Sequence, residues 1–211
     1  METTAHVYNK IAKEFKNTRH YQWPWIDSFI TSIQKETPND KLKILDVGCG
    51  SGRNIEAYQS QKISIEGIDN SSEFVNMCKK NGLNVNLEDM TSISKADDIY
   101  DYILSIASFH HLNDEQKRIK CLKEMKRILK TDGKILLSVW SKNQPKKTKR
   151  VFENYGDNMV PWKCQNGDIF SRYYYIFNVD EIIKLFKACG LEIICHFWDC
   201  GNEVFILKNK K

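Results

Sequence analysis

A glycine-rich turn between an apolar strand and a helix is the most specific chemical signal in the sequence. The motif is Asp46-Val47-Gly48-Cys49-Gly50-Ser51-Gly52. Gly48 and Gly50 lack the β-carbon that would keep a ligand from the backbone, and the helix that begins near Gly52 directs free N–H groups at the same point. Asp69 ends the next apolar strand, where its carboxylate can accept both hydroxyls of a ribose.

Two classes of cofactor use such a turn, and the residues favour one of them. A dinucleotide motif requires glycine at position 53, which is Arg53, and the third glycine comes one place early. Asp46 would set a carboxylate beside a phosphate, whereas it suits a cation such as an ammonium or a sulfonium. The motif and Asp69 together resemble the seven-stranded S-adenosylmethionine-dependent methyltransferases. The resemblance implies an α/β, Rossmann-like class I methyltransferase fold with a C-terminal antiparallel hairpin.

The same resemblance assigns further positions to S-adenosylmethionine. An acid and an apolar residue after the third strand would contact the adenine, and the fourth strand would end at the methyl donor. For the two histidines that follow this strand, packing or surface exposure is the alternative. The residues expected to bind the cofactor are Asp46, Gly48, Gly50, Asp69, Asn70, Asp89, Met90, Ser105, Ile106 and His110.

Several segments narrow the resemblance to the tRNA methyltransferases that esterify carboxymethyluridine at the wobble position, including the methyltransferase domain fused to AlkB-type oxygenases. They are Tyr8-Asn9-Lys10-Ile11-Ala12 with Phe15, Thr18-Arg19, Trp23-Pro24, Ser105-Ile106-Ala107 with His110-His111, Val160-Pro161-Trp162 and Arg172-Tyr173-Tyr174-Tyr175-Ile176-Phe177. The sequence departs from this family at Ser51, at Phe109 and in a shorter segment 141–171. The resemblance implies methyl transfer to the carboxylate of 5-carboxymethyluridine in tRNA, giving 5-methoxycarbonylmethyluridine.

The implied reaction needs alignment more than a strong base, because carboxylic acids titrate near pH 4, at about 3.9–4.3, and the nucleophile is already ionised at pH 7. Arg19 and Arg172 are candidates to hold that carboxylate or the flanking phosphates, since a guanidinium presents paired donors. His111 is the third candidate catalytic residue, as a donor to the carboxylate or the uracil edge. The candidates for stacking on an extruded base are Trp162, Tyr173 and Tyr174. The alternatives are surface arginines and rings that cover the core.

Two other functions fit parts of the sequence. A methyltransferase acting on a small molecule would share Asp46, Gly48, Gly50 and Asp69 and would close the aromatic segment over its substrate, so RNA binding separates the two hypotheses. A non-catalytic subunit that binds S-adenosylmethionine is less favoured, because the expected substrate segments accompany an intact cofactor motif.

The resemblance also implies two partners, the tRNA anticodon loop and a small zinc-binding protein that activates several methyltransferases. The basic run Lys146, Lys147, Lys149 and Arg150 is a candidate track for the RNA backbone, with a solvated loop as the alternative. The third strand is expected at the sheet edge, where the activator could dock, and any zinc would belong to that partner.

The composition suits one domain: the chain has 211 residues, a net charge of +5 and 41% hydrophobic residues. We interpret residues 1–211 as a single methyltransferase domain, with a helical substrate-side segment at 1–40 and a substrate-side insertion at 141–178. No apolar run is long enough for a membrane span, and the polar N-terminus does not read as a secretory signal. Seven cysteines without a CxxC pair indicate reduced thiols. We expect the protein in the cytoplasm, with the nucleus as a second compartment.

The elements that must position these residues alternate along the chain, as in a mainly parallel sheet with crossover helices. Strands are predicted at 43–47, 64–69, 84–88, 102–107, 134–140, 192–198 and 203–208. Helices are predicted at 52–59, 72–81, 114–129 and 179–189, and partly before residue 41. Asn113 or Asp114 is placed to cap the third of these helices, and Thr131-Asp132-Gly133 to end it. The segment 141–175 shows no clear periodicity.

Overall fold

A seven-stranded sheet forms the centre of the protein, which a computed structural model describes over residues 2–18, 21–38, 40–148 and 150–210. Its strands are β1 Leu42–Val47, β2 Ile63–Asp69, β3 Val85–Leu87, β4 Tyr100–Ile106, β5 Leu129–Trp140, β8 Leu191–Asp199 and β9 Asn202–Asn209. Their spatial order is β3-β2-β1-β4-β5-β9-β8. The first five run parallel, whereas β9 is antiparallel to both β5 and β8. The predicted strands and the closing hairpin are confirmed.

The described residues form six α-helices, of which α2 to α6 cover the two faces of the sheet and α1 packs on α4. They are α1 Thr4–Lys16, α2 Pro24–Glu36, α3 Arg53–Tyr58, α4 Ser72–Lys80, α5 Glu115–Ile128 and α6 Val179–Ala188. Side chains of β1 alternate between the faces. Leu45 and Val47 join a cluster with α5 and α6, and Leu42 and Ile44 join one with α2, α3 and α4. The parallel strands are therefore apolar on both sides, as their sequences indicate. Among the described residues, no helix has the length and apolarity that a membrane crossing requires.

The end of α5 differs from the prediction. Asp114 caps its start, with Oδ1 accepting from the backbone N–H of Lys117 at 3.1 Å, but the helix ends at Ile128 and the chain extends at once into β5. Gly133 lies within that strand. A β-carbon there would come within 2.7 Å of the Asp101 carbonyl oxygen, so its role is to allow close packing of β5 on β4 and not to end the helix.

A second, two-stranded sheet occupies part of the segment that showed no periodicity. Its strands, β6 Gly156–Lys163 and β7 Ile169–Ile176, pair antiparallel in register. The expectation of an irregular segment is wrong from Gly156 onward. Met159 and Ile169 are exposed on the outer face, so apolar residues on both faces hide the period of two. The inner face contributes Trp162 and Phe170 to a cluster with α1.

The order of strands reverses beside β1, where the chain continues to β2 on one side while β4 lies on the other. Crevices at such a switch point are where open α/β sheets bind ligands. The predicted site residues at the carboxyl ends of β1, β2 and β4 all fall along this edge.

Replacing Phe109 with Ala should lower the free energy of unfolding by about 3–5 kcal/mol, because it empties a buried aromatic site. Phe109 is 0% exposed and stacks on Phe177 with ring centroids 5.7 Å apart. Urea unfolding measures the change, and Ile194→Ala, at a residue 47% exposed, is the control. A midpoint as little changed as that of the control would contradict this packing role.

Candidate active site

The glycine-rich turn has the backbone that its sequence predicts. Gly48, Gly50 and Gly52 have φ of +74°, +55° and +80°. A β-carbon on Gly48 would lie 2.4 Å from that of Ser108, whereas no heavy atom lies within 4 Å of one on Gly50. Gly48 is therefore required by packing against the end of β4, and Gly50 by its left-handed conformation. The turn leaves open space at its second glycine.

Asp46 has a buried carboxylate, and one of its two oxygens accepts no hydrogen bond from the described residues. It is 1% exposed, its Oδ2 accepts from Asn54 Nδ2 at 3.1 Å, and its Oδ1 has no partner among the described residues. Burial raises the pKa of Asp46 to about 7. A cationic donor would compensate the carboxylate, because an unpaired buried charge is unfavourable. The charge and the unpartnered oxygen suit the ammonium of the methionine moiety of S-adenosylmethionine, and Asp46 lies directly behind the glycine turn and lines neither cavity itself.

Asp69 is fixed by backbone donors at the end of β2. Its Oδ2 accepts from Gly50 N and its Oδ1 from Ser71 N, both at 2.8 Å. Burial raises the pKa of Asp69 to about 6. Each oxygen keeps a further lone pair, so the carboxylate can also accept from ribose hydroxyls. The donor set thus fits the nucleoside part of the same cofactor.

Two connected cavities lie at this edge of the sheet. The inner cavity, of about 110 Å³, is lined by Gly48, Gly50, Asp69, Asn70, Glu88, Met90, Ser108 and His111, among others. The outer cavity, of about 620 Å³, reaches Trp140, Gln144, Arg150, Tyr174 and Asn202. Tyr8, Phe15, Gly48, Gly50 and Ala107 line both. The outer cavity alone falls in the range of about 300–1,000 Å³ that is typical of small-molecule sites, and the shared lining residues let one ligand extend into both cavities.

Not every predicted cofactor residue lines the inner cavity. Asp89 is exposed and its Oδ1 accepts from Thr91 N and Oγ1, whereas the neighbouring Glu88 lines the cavity. Ser105 is 0% exposed and bonds Ser108 Oγ, which faces the cavity in its place. Ile106 lines the outer cavity.

His110 lies in the core behind the cavities. It is 0% exposed, and its Nδ1 accepts from the backbone N–H of Trp140 at 3.0 Å. Burial holds the pKa of His110 well below its usual value, so the ring is neutral. His110 therefore packs in the core, which was the alternative to cofactor binding, because the turn after β4 directs its ring into the protein interior.

Tyr8 is the centre of a hydrogen-bond chain that the sequence did not reveal. His111 Nδ1 donates to the Tyr173 carbonyl at 2.7 Å, so Nε2 accepts from the Tyr8 hydroxyl at 2.9 Å. The Tyr8 oxygen lies 3.3 Å from that of Tyr174, which accepts from Arg172 Nη1 at 3.0 Å. The chain links α1, the turn after β4 and β7.

His111 is a neutral acceptor in this arrangement. Burial lowers its pKa to about 4, and both ring nitrogens bond protein groups. The structure places His111 to orient Tyr8, and a catalytic role as a donor stays a prediction. Tyr8 lies on the same face of α1 as the apolar residues Ile11, Ala12 and Phe15, and that helical spacing was the signal that could have drawn attention to it.

Arg172 is 4% exposed, and its Nε has no acceptor among the described residues. None of the ion pairs formed by those residues includes it. Its guanidinium carbon lies 5.0 Å from the centre of the Trp162 ring. Arg19, the other predicted clamp, lies outside the described residues.

The predicted aromatic residues divide between the two faces of the β6–β7 hairpin. Trp162 and Tyr174 share the inner face with Arg172, since alternate residues of a strand share a face and cross-strand partners lie together. Tyr173 points to the opposite face, where its hydroxyl donates to Asp157 Oδ1. The structure therefore does not bring Tyr173 together with the other two rings, although its carbonyl holds His111.

Comparisons with known proteins identify the class to which this fold and site belong. A family model described as "Methyltransferase domain" matches residues 15–196, and the chain belongs to this family. It is 29% identical, over a 224-residue alignment covering 95% of this chain and 93% of the relative, to a tRNA (carboxymethyluridine(34)-5-O)-methyltransferase of Schizosaccharomyces pombe. It is 33% identical over 138 residues to the Xenopus tropicalis tRNA (carboxymethyluridine(34)-5-O)-methyltransferase alkbh8, covering 65% of this chain but 21% of that protein.

A likeness to solved structures confirms the fold. A methyltransferase in complex with the Haloferax volcanii Trm112 methyltransferase activator superposes with a TM-score of 0.70 at 16% identity, covering 99% of this chain and 98% of that one. The class I methyltransferase fold predicted from the glycine motif is thus present over the full set of strands.

The affinity for S-adenosylmethionine should be highest above about pH 7 and should fall as the pH drops, because the ammonium requires an ionised Asp46 and the ribose hydroxyls require an ionised Asp69, and the pKa values of these groups are about 7 and about 6. Calorimetric titration across this range measures the dissociation constant. Asp46→Asn should weaken binding and remove the dependence near pH 7, leaving the one near pH 6. Glu192→Gln, at an exposed ion pair of β8, is the control. An affinity constant with pH would contradict the assignment.

Proposed function

We propose that this protein transfers a methyl group from S-adenosylmethionine to the carboxylate of 5-carboxymethyluridine at the wobble position of tRNA, giving 5-methoxycarbonylmethyluridine. The relative of matching length from Schizosaccharomyces pombe carries that activity in its name. The tRNA anticodon loop is therefore the proposed macromolecular substrate. A small-molecule substrate is not favoured, because the Schizosaccharomyces pombe relative, which is aligned over 95% of this chain, is named for tRNA.

The proposal rests on the guanidinium of Arg172, which is buried and forms no ion pair among the described residues. A buried charge without a counter-ion is unfavourable in the free protein and becomes favourable when an anion arrives. Its Nε and the fork geometry of the side chain match a carboxylate. Arg172 itself lines neither cavity, and the hydrogen bond from its Nη1 to Tyr174 holds it behind that residue of the outer cavity.

S-adenosylmethionine, when bound, supplies an electrophilic methyl group and leaves as a neutral thioether. Asp46 would hold its ammonium and Asp69 its ribose, which sets the methyl donor near the carboxyl ends of β1 and β4. Arg172 would align the substrate carboxylate, and no residue needs to remove a proton from it. Alignment of this kind accounts for up to about 7–11 kcal/mol of barrier reduction in well-oriented reactions.

The end of β4 is strained where both cavities meet. Ala107 has a φ of +52°, and its N–H donates to Ser138 Oγ at 3.0 Å and to the Ser138 carbonyl at 3.1 Å. A non-glycine residue in the left-handed region is uncommon and clusters at functional sites. Here the conformation turns the chain so that Ser108 and His111 line the inner cavity.

Transfer of labelled methyl from S-adenosylmethionine to tRNA that lacks the terminal ester tests the function. We expect label at the wobble uridine that mild alkali removes, because a methyl ester is hydrolysed and an N-methyl or C-methyl group is not. Arg172→Ala should lower transfer by about 100-fold or more while leaving cofactor affinity nearly unchanged, as for loss of one transition-state donor.

The matched control is Arg118→Ala, since Arg118 is also buried, at 6% exposed, but stacks on Tyr175 and donates to the Asp114 carbonyl, neither of which lines a cavity, whereas Arg172 bonds Tyr174 of the outer cavity. Alkali-stable label would reject the carboxylate mechanism. No transfer with cofactor bound and the activator subunit present would reject tRNA as substrate, and an inert Arg172→Ala would reject the clamp.

We also propose that the edge strand β3 docks a small zinc-binding activator subunit. Leu87 is 56% exposed on this strand, which pairs with β2 alone among the described strands. Apolar side chains on an uncovered edge favour pairing with another chain. The zinc would belong to the partner, and the described residues hold no group of three side chains suited to a metal. The proposed place of action is the cytoplasm, with the nucleus as a second compartment.

Leu87→Asp should lower co-purification of the activator by about tenfold or more, because it places a charge in an apolar contact. Ile169→Asp provides a control at an equally exposed residue of the β6–β7 hairpin. Equal recovery of the activator with both variants would exclude β3 as its docking site.

A further inference from the structure

A rigid turn between β8 and β9 forms one wall of the outer cavity. Cys200 and Gly201 have φ of +44° and +85°, and the Gly201 carbonyl accepts from Ser141 N and Gln144 Nε2, both at 2.8 Å. The turn therefore cannot shift without breaking contacts to the loop that follows β5. Residues 199–202 of this turn all line the cavity.

Asn202 ends this turn and carries a fixed acceptor. It is 2% exposed, and its Nδ2 donates to the carbonyls of Asp199 at 3.3 Å and Cys200 at 3.5 Å. Reversing the carboxamide would set its oxygen against those two carbonyls, so the assignment of nitrogen and oxygen is determined. Oδ1 has no partner among the described residues. A buried amide oxygen of this kind calls for an N–H or O–H donor from a ligand.

The surroundings of Asn202 suit a flat heteroaromatic ligand. Asn202 is the cross-strand partner of Trp140, so their side chains share one face of the sheet. Trp140 stacks on Tyr174 with ring centroids 4.1 Å apart, and the Arg150 guanidinium lies 3.9 Å from the Trp140 centroid. A hydrogen-bond acceptor beside these stacked side chains suits a nucleobase that presents one ring N–H.

We propose that Asn202 is a specificity-determining residue whose Oδ1 accepts a hydrogen bond from the N3–H of the target uracil. This inference rests on the proposed function and deepens it, because it names how uridine is distinguished from cytidine. Uracil carries a proton on N3 and cytosine does not. The N3 lone pair of cytosine would therefore face the Asn202 Oδ1 oxygen and repel it. Sites built to accept a substrate N–H reject analogues that lack it.

Anticodon stem-loop RNAs with either 5-carboxymethyluridine or 5-carboxymethylcytidine at the target position test this inference. The dissociation constant and the rate of methyl transfer are measured for both. The unmodified protein should bind the uridine loop about tenfold or more tightly than the cytidine loop, and Asn202→Ala should bring the two within about twofold. Asn209→Ala is the matched control, since Asn209 also has an unpartnered Oδ1 on β9 but lines neither cavity.

The two measurements separate the inference from the proposed function. Selective binding that Asn202→Ala abolishes, without methyl transfer, would support Asn202 and reject the reaction. Equal binding of both loops by the unmodified protein would overturn the inference without the need for any variant. A selectivity that Asn202→Ala leaves intact, with the thermal midpoint and cofactor affinity preserved, would overturn it as well.

Discussion

The hydroxyl of Tyr8 holds together three segments that are far apart in the sequence. It lies within hydrogen-bond distance of His111 and Tyr174, which are 103 and 166 residues away. Burial raises the pKa of Tyr8 well above its usual value, so the group remains a donor to His111 at all physiological pH. Because the neutral His111 can only accept at Nε2, the direction of each hydrogen bond in the chain is set, and α1 is held over the inner cavity.

Helix α1 has a second attachment close to the cofactor residues. Asn9 Oδ1 accepts from Ser71 Oγ at 2.7 Å and from Glu73 N at 3.2 Å, while the backbone of Ser71 donates to Asp69. The carboxylate expected to bind the ribose and the helix that covers the cavity are thus connected through one serine. Two polar anchors, together with the apolar residues Val7 and Ile11 packed on the hairpin, fix this helix.

A structural feature could be predicted from the sequence where the residues that determine it are adjacent in the chain. The strands of the central sheet and the turn at Gly48 are encoded by adjacent residues, so their positions were predicted to within one or two residues, apart from the early start of β5. Tyr173 and Tyr174 point to opposite faces because β7 is a strand, which was not predicted, and the face that packs against α1 is set by tertiary contacts that the sequence of the strand does not contain. Likewise, the chain from Tyr8 to Arg172 is created by tertiary contacts alone, and His110 follows its turn into the core.

The site contains two buried ionisable groups of opposite sign, Asp46 and Arg172, each with one polar atom that lacks a partner among the described residues. Their signs match a cationic methyl donor and an anionic acceptor. A guanidinium that donated hydrogen bonds to the substrate carboxylate through both Nη groups would stabilise the carboxylate and reduce its nucleophilicity. Nη1 already donates to Tyr174, so in the proposed reaction fewer donors would remain for the substrate, and Arg172 would align the carboxylate with weaker hydrogen bonding to the oxygen that must react. The Tyr174 hydroxyl would then adjust the chemistry of the site as well as its shape.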